Sequence, residues 1–205
     1  MARTTRTEQL SALGSTSRVA LRWISEPDRT EELTHGELLD QAARAAEALT
    51  RLGVRAGDRV AVHLPLVPES VVVTLACGRI DAVRCSLPVG LRADQLRARL
   101  RELGASVLIT ADGDQRAGET RSLKPVVDRA LAGCSEVRNV LVVHRVARPV
   151  SWTPGRDLWW HEALRPGTDR QARPWASHLT RGPALVALPG QAAVEDSAGR
   201  RSLEV

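Results

Sequence analysis

The 205-residue chain contains no phenylalanine and no tyrosine, and its only lysine is Lys124. A core without those rings must be packed from Ala, Val and Leu, which reach native density but bury less area per residue than an aromatic side chain. Five tryptophans are the entire aromatic complement. The three cysteines (Cys77, Cys85 and Cys134) form no C-x-x-C pair; Cys77 and Cys85 lie in apolar surroundings that predict buried, reduced thiols. Apolar runs such as Val71-Val72-Val73 fall far short of the ~18 residues of a membrane span. No apolar core follows the basic stretch Met1 to Thr7, so no signal peptide is expected and the expected compartment is cytoplasmic, away from membranes.

Arginine takes the place of lysine throughout, 28 to 1, and the formal net charge is +5. The excess is not evenly placed. Residues 19–144 hold 17 basic and 17 acidic side chains, whereas residues 145–181 contribute +4 and residues 1–18 contribute +2. The part with the periodicity of a folded domain is therefore neutral. No aromatic platform accompanies the flanking arginines, so the footprint of a nucleic-acid binder is missing.

Residues 1–18 read as a disordered arm rich in Thr, Ser and Arg, including the linker-like Gly14-Ser15-Thr16-Ser17. Val19 to Ile24 predicts an edge strand, followed by a polar turn over Glu26 to Arg29. Thr34 and Glu37 have the T-x-x-E spacing of a capping box, and Leu38, Ala42, Ala45, Leu49 and Leu52 form one helical stripe ended by Gly53. Strands are predicted at Arg59 to Leu64, Val83 to Leu87, Ser106 to Thr110 and Arg138 to Arg145. Helices are predicted at about Glu69 to Asp81, Ala93 to Leu103 and Ser122 to Ala132. This alternation predicts an α/β domain: a parallel sheet flanked by helices, with right-handed crossovers. Arg97, Arg99 and Arg101 read as a solvated helix face. Residues 166–205 read as an irregular tail, with a strand-like run at Ala184 to Leu188.

The stretch Val107 to Lys124, VLITADGDQRAGETRSLK, predicts an apolar strand leading into a glycine-bearing basic loop, the usual place for a phosphorylated ligand in an α/β protein. Gly113 to Thr120 has the spacing of a phosphate loop, but Glu119 stands where the lysine belongs and would repel phosphate. His161-Glu162 begins like H-E-x-x-H, but Arg165 replaces the second ligand. His35, His63, His144 and His178 have no ligand spacing. The segment Trp152 to His161, WTPGRDLWWH, reads as a structural plug of indole rings on the sheet.

Together, Leu33-Thr34-His35-Gly36-Glu37-Leu38, Gly57 to Pro65, Val67-Pro68-Glu69, Leu75 to Val83, Arg116-Ala117-Gly118 and Gly155 to His161 resemble the N-terminal region of acetyl-CoA synthetases. These are AMP-forming acyl-CoA synthetases, and the resemblance spans about Val19 to Leu164. It implies a partial N-terminal domain over residues 19–165. It also implies a relation to enzymes that adenylate a carboxylate with ATP and Mg²⁺ and then pass the acyl group to coenzyme A. The family's R-A-G-R coenzyme A loop matches at Arg116, Ala117 and Gly118, but Glu119 replaces the second arginine, exchanging a charge-assisted attraction for a repulsion. Arg121, two residues on, is a candidate to compensate. The family's glycine pair corresponds to Pro88-Val89-Gly90-Leu91, so Gly90 survives while Val89 is expected to crowd a ligand.

The family's T-S-G-[ST]-[ST]-G-x-P-K-G loop for ATP phosphates is not present; Ala184 to Leu188 runs instead into Pro189-Gly190-Gln191. The expectation is a truncated synthetase-like protein with no catalytic residues or metal ligands of its own. The alternative is a non-catalytic module that binds coenzyme A or another nucleotide, or associates with a synthetase subunit. Apolar surface that the rest of a synthetase would cover predicts weak stability or self-association.

Overall fold

A computed structural model describes residues 16–25, 29–116 and 118–165. Most of the expected arm, Ala117, and the whole tail with the strand-like Ala184 to Leu188 lie outside the described residues.

A hairpin of β1 (Val19–Ser25) and β2 (Arg29–Thr34) comes first and pairs antiparallel. The sequence reading assigned no element to residues 30–33, which this strand occupies; residues 26–28 of the expected polar turn lie outside the described residues. Thr34 then caps α1 (His35–Arg51): its hydroxyl accepts from the Glu37 N–H, and the Glu37 carboxylate accepts from the Thr34 N–H. This capping box leaves no free donor at either position. The predicted stripe is the buried face of the helix, and Gly53 follows its end at φ +91°.

From here strand and helix alternate: β3 (Arg59–His63), α2 (Pro68–Arg79), β4 (Val83–Ser86), α3 (Ala93–Leu103) and β5 (Val107–Ala111). A second hairpin, β6 (Gly113–Arg116) and β7 (Glu119–Ser122), interrupts the pattern. It is followed by α4 (Lys124–Leu131), β8 (Asn139–Val143), β9 (Asp157–Trp159) and the single turn α5 (Trp160–Ala163).

The central sheet has the order β4-β3-β5-β8-β9 and is parallel throughout. Residues alternate across it because side chains on a strand point to opposite faces. Val60, Val62, Val107, Ile109, Leu141 and Val143 face α1 and α2, while Ala61, Leu108, Val140 and Val142 face α3 and α4. Both cores are aliphatic apart from their cysteines and Trp160, as the composition requires. Cys77, Cys85 and Cys134 are free and buried, and burial pushes the Cys77 thiol up to about 12. Among the described residues no helix is long and apolar enough to cross a membrane.

Two side-chain roles differ from the sequence reading. Arg97 and Arg101 do more than meet solvent: the half-buried Arg97 donates its Nε to the Ala130 carbonyl at 2.9 Å, and the exposed Arg101 donates to the Gly133 carbonyl. They satisfy carbonyls at the end of α4 that the helix itself leaves free. Arg99 does reach outward, to Glu102 at 3.1 Å. The WTPGRDLWWH segment is a plug in part, with Trp160 buried in the core, but its middle is the fifth strand of the sheet.

Candidate functional site

The strand order locates the site. From β3 the chain moves to β4 on one side and then returns across to β5 on the other, so the winding reverses between β3 and β5. At such a switch point the loops leave in opposite directions and open a crevice at the carboxyl ends of the strands. Two connections leave there in opposite directions, Leu64–Val67 after β3 and the β6–β7 hairpin after β5, while Leu87–Arg92 follows the neighbouring β4.

At the floor of the crevice, His63 and Thr110 are register partners at the carboxyl ends of β3 and β5. Both are fully buried. His63 Nδ1 lies 3.3 Å from Thr110 Oγ1, and Nε2 has no hydrogen-bond partner among the described residues. Burial drives the imidazole down to about 4, outweighing the Pro88 backbone carbonyl, which favours the protonated ring. The ring is therefore neutral at physiological pH. Because its folded value lies below the ordinary value of 6.5, this contribution to stability is complete above about pH 6.5 and is lost as pH falls toward 4. The expected slope is up to about 1.4 kcal/mol per pH unit in that window. Urea midpoints for wild type and His63→Phe measure it: the wild-type loss between pH 7 and pH 4.5 exceeds that of the variant.

The hairpin is held by Asp112, also fully buried. One carboxylate oxygen accepts from the N–H of Gly113 (2.8 Å) and of Arg145 (2.8 Å), and the Val146 N–H reaches both oxygens. The Asp112 carbonyl accepts from the Leu123 N–H at 3.1 Å, where the hairpin ends. One residue thus ties together the start and finish of the hairpin and the end of β8. Gly113 has no freedom to change: a Cβ there would lie 2.5 Å from Val146 Cγ2 and 2.7 Å from the Arg121 carbonyl oxygen. The valine can rotate; the backbone oxygen cannot. Gly113→Ala is expected to lower stability by about 1–3 kcal/mol, read as a fall in melting temperature.

The expected basic loop is therefore a β-hairpin, with Arg116 opposite Glu119 across a tight turn and Gly118 at φ +76°. Glu119 is not left facing the site alone: the Arg121 guanidinium lies 3.7 Å from its carboxylate on the same strand. Gly118 and Gly90 both have open space where a Cβ would project, so nothing within the chain requires glycine there by crowding. Val89 is half-buried, and its side chain packs against the core cluster on the α1 and α2 side of the sheet. Gly90 thus lies on the connection after β4, and Arg116 and Gly118 lie on the hairpin after β5.

Lys124, which ends the stretch that follows β5, has a structural role. It is fully buried, and its Nζ donates to Asp128 (2.7 Å), Asp157 (2.8 Å) and the Ser151 carbonyl (2.9 Å). Arg156 completes a neutral four-membered network through Asp157 (2.6 Å) and Asp128 (2.7 Å). Burial works against ionisation of Asp157, but hydrogen bonds from Arg156, Lys124 and the Thr153 N–H outweigh it and hold the carboxyl below its usual range. No phosphate can share Lys124. It is the rivet that fastens β9 to α4.

Sequence reasoning missed His63 and Asp112. For Asp112 a signal existed: an Asp-Gly pair directly after an apolar strand marks a turn in which the carboxylate binds local N–H groups. For His63 none did, since only tertiary packing removes its partners.

A family model described as AMP-binding enzyme matches residues 9–179. The chain is 48% identical over 149 residues to the acetyl-coenzyme A synthetase of Streptomyces avermitilis, covering 73% of this chain and 23% of that protein. It is 45% identical over 152 residues to that of Mycolicibacterium smegmatis (74% and 16%) and 42% identical over 151 residues to that of Streptomyces coelicolor (74% and 23%). The chain thus spans less than a quarter of the length of these relatives. The match covers the sheet, its helices and both loops of the switch point, and on it the chain belongs to the AMP-binding enzyme family.

Proposed function

We propose that these 205 residues form a partial acetyl-CoA synthetase-like protein that binds coenzyme A or a related nucleotide at the switch point and does not activate acetate by itself. What supports this reading is the strand order: the β6–β7 hairpin, with Gly118 in its turn, follows β5 at the switch point, and Gly90 lies on the connection after β4, the neighbour of β3. Arg116 supplies the charge for a phosphate, and the two open glycines allow close backbone approach. Coenzyme A, when bound, offers its thiol as acyl acceptor; this chain's residues bind and orient its nucleotide end. ATP and Mg²⁺ receive no assignment. The phosphate loop sequence is absent, and among the described residues no cluster of three or more His, Cys, Asp or Glu side chains could hold a metal ion. Activation of acetate needs preorganised charge around the reacting phosphate, which the described residues do not assemble. Acetate-dependent exchange of labelled pyrophosphate into ATP is therefore expected to stay at background, and exchange that scales with protein concentration overturns the reading.

A second reading is association with a synthetase subunit or a second copy. Leu66 and Ile24 support it, being 91% and 71% exposed. Leu66 lies beside β1, its carbonyl accepting from the Trp23 indole N–H at 2.6 Å. Light scattering across a concentration series should show a rising mass that Leu66→Ser reduces. A constant monomer mass contradicts it.

A further inference from the structure

β4 (Val83–Ser86) is an edge of the central sheet, with β3 on one side and no described strand on the other. Side chains alternate along it. Cys85 points into the core with α3 and α4, while Arg84 and Ser86 are register partners of Val60 and Val62, on the face that α1 and α2 cover. There Arg84 Nη2 donates to the hydroxyl oxygen of Ser70, in the first turn of α2, at 2.8 Å, and Nη1 donates to the hydroxyl oxygen of Ser86. The guanidinium thus bridges the start of α2 and the carboxyl end of β4. Ser86 is exposed, which leaves the Nη1 end of the fork as the approach from solvent.

No carboxylate balances this charge among the described residues. Arg145 has Glu31 and Glu69, and Arg156 has Asp128 and Asp157; the partners of Arg84 are two neutral hydroxyls. Glu69, next to Ser70 in sequence, is taken by Arg145. Arg84 is half-buried, and its Nε is enclosed without a hydrogen-bond partner. Burial works against its charge and holds its pKa below the ordinary value; the Cys77 and Cys85 thiols oppose this less strongly. Charges taken out of water are ordinarily paired, and the planar guanidinium fork matches the geometry of oxyanions. The serines take one N–H each, so the fork has donors to spare. Each serine oxygen accepts from the arginine and keeps its own O–H to donate.

The geometry points to Arg84, Ser70 and Ser86 as a site for a tetrahedral oxyanion of the phosphate type, at the open edge of the sheet. This goes beyond the reading of the switch point and does not depend on it, since no residue of the β6–β7 hairpin takes part. The guanidinium supplies charge, and the two hydroxyls supply direction. The anion displaces water from a cation that the fold has already partly desolvated, where charge-assisted hydrogen bonds are stronger than at the open surface. The same chemistry recognises the free ion and a phosphoryl group carried on a larger molecule.

The test uses the full 205-residue chain and follows the Arg84 side-chain Nε–H and the Ser86 backbone N–H in ¹H–¹⁵N spectra. Inorganic phosphate and ribose 5-phosphate are titrated separately, with chloride holding the ionic strength constant. Saturable shifts of both signals are expected, with a melting temperature that rises with phosphate because the ion binds the folded state. Arg84→Met should weaken phosphate binding at least about tenfold, the loss of a charge-assisted contact. Ser86→Ala, at an exposed position, should weaken it about threefold or more, and Arg116→Ala should leave it unchanged. Tighter binding of ribose 5-phosphate assigns the site to a carried phosphoryl group, and phosphate binding as tight or tighter assigns it to the free ion; either supports the site. No saturable shift at Arg84, an equal response to chloride alone, or unchanged affinity in the folded Arg84→Met and Ser86→Ala proteins overturns it. Circular dichroism establishes the fold of each variant. Failure of coenzyme A to bind while phosphate still shifts Arg84 overturns the coenzyme A reading and leaves this site standing.

Discussion

Lys124→Met is expected to destabilise the protein by about 3–5 kcal/mol, the usual cost of removing one partner from a buried ion pair. Asp157 is buried and loses one of its two cations, and Asp128 loses one of two that lie equally close and keeps only Arg156. The Ser151 carbonyl loses its donor as well. Arg156 keeps part of the charge balance, so the loss falls short of complete collapse. Lys124→Met combined with Asp157→Asn removes the uncompensated charge and is expected to recover part of the stability, giving a non-additive cycle. Urea unfolding measures both. A loss under about 1 kcal/mol for the single variant means that the network is replaced easily by water. The consequence is local before it is global: β9 is a three-residue edge strand, and without Lys124 its hold on α4 passes to Arg156. Tryptophan emission should therefore shift to the red before the main transition in urea.

Asp112→Ala should be nearly as costly, about 3–5 kcal/mol, because three backbone N–H groups lose their acceptor at once. Each buried donor left unsatisfied costs about 1–3 kcal/mol, and the Val146 and Arg145 groups have some room to reach water. Asp112→Asn keeps one acceptor oxygen and is expected to lose about half as much. The two variants also separate stability from function. Through these backbone contacts Asp112 positions the hairpin. Under conditions where Asp112→Asn is still folded, its affinity for coenzyme A should fall because the turn carrying Arg116 is no longer held against β8. Unchanged affinity in a folded Asp112→Asn protein would mean that the hairpin is ordered by other contacts.

Much of the architecture is written locally. The capping box at Thr34, the glycines after α1 and α3, and the apolar stripes leave little choice about the helices: α3 has the predicted limits, and Gly104 closes it at φ +60°. The central strands are legible because a strand buried on both faces is continuously apolar. The elements that escaped are those that tertiary context makes. β2, Arg29–Thr34, is half charged and becomes a strand only because β1 lies beside it and Arg145 binds Glu31 at 3.0 Å and stacks on Trp23. β6 and β7 are polar and short. β9 is three residues long, fastened by ion pairs rather than by a pattern. Within the site, the resemblance named Gly90 and the Arg116 turn but not what holds them. The lone lysine carried no assigned role in the sequence, and burial and two carboxylates give it a structural task. Glu119 looked like a repulsive charge, and the Arg121 guanidinium beside it reduces that repulsion.

The central claim is that the chain holds a coenzyme A or nucleotide site at the switch point of its sheet, built on the Arg116 turn. Calorimetric titration of coenzyme A into the wild-type protein and into Arg116→Ala tests it most directly. The account predicts a saturable one-site heat for the wild type and an affinity at least about tenfold lower for the variant, the loss expected when a charge-assisted phosphate contact is removed. No saturable heat for the wild type, or equal affinities for the two folded proteins, contradicts it.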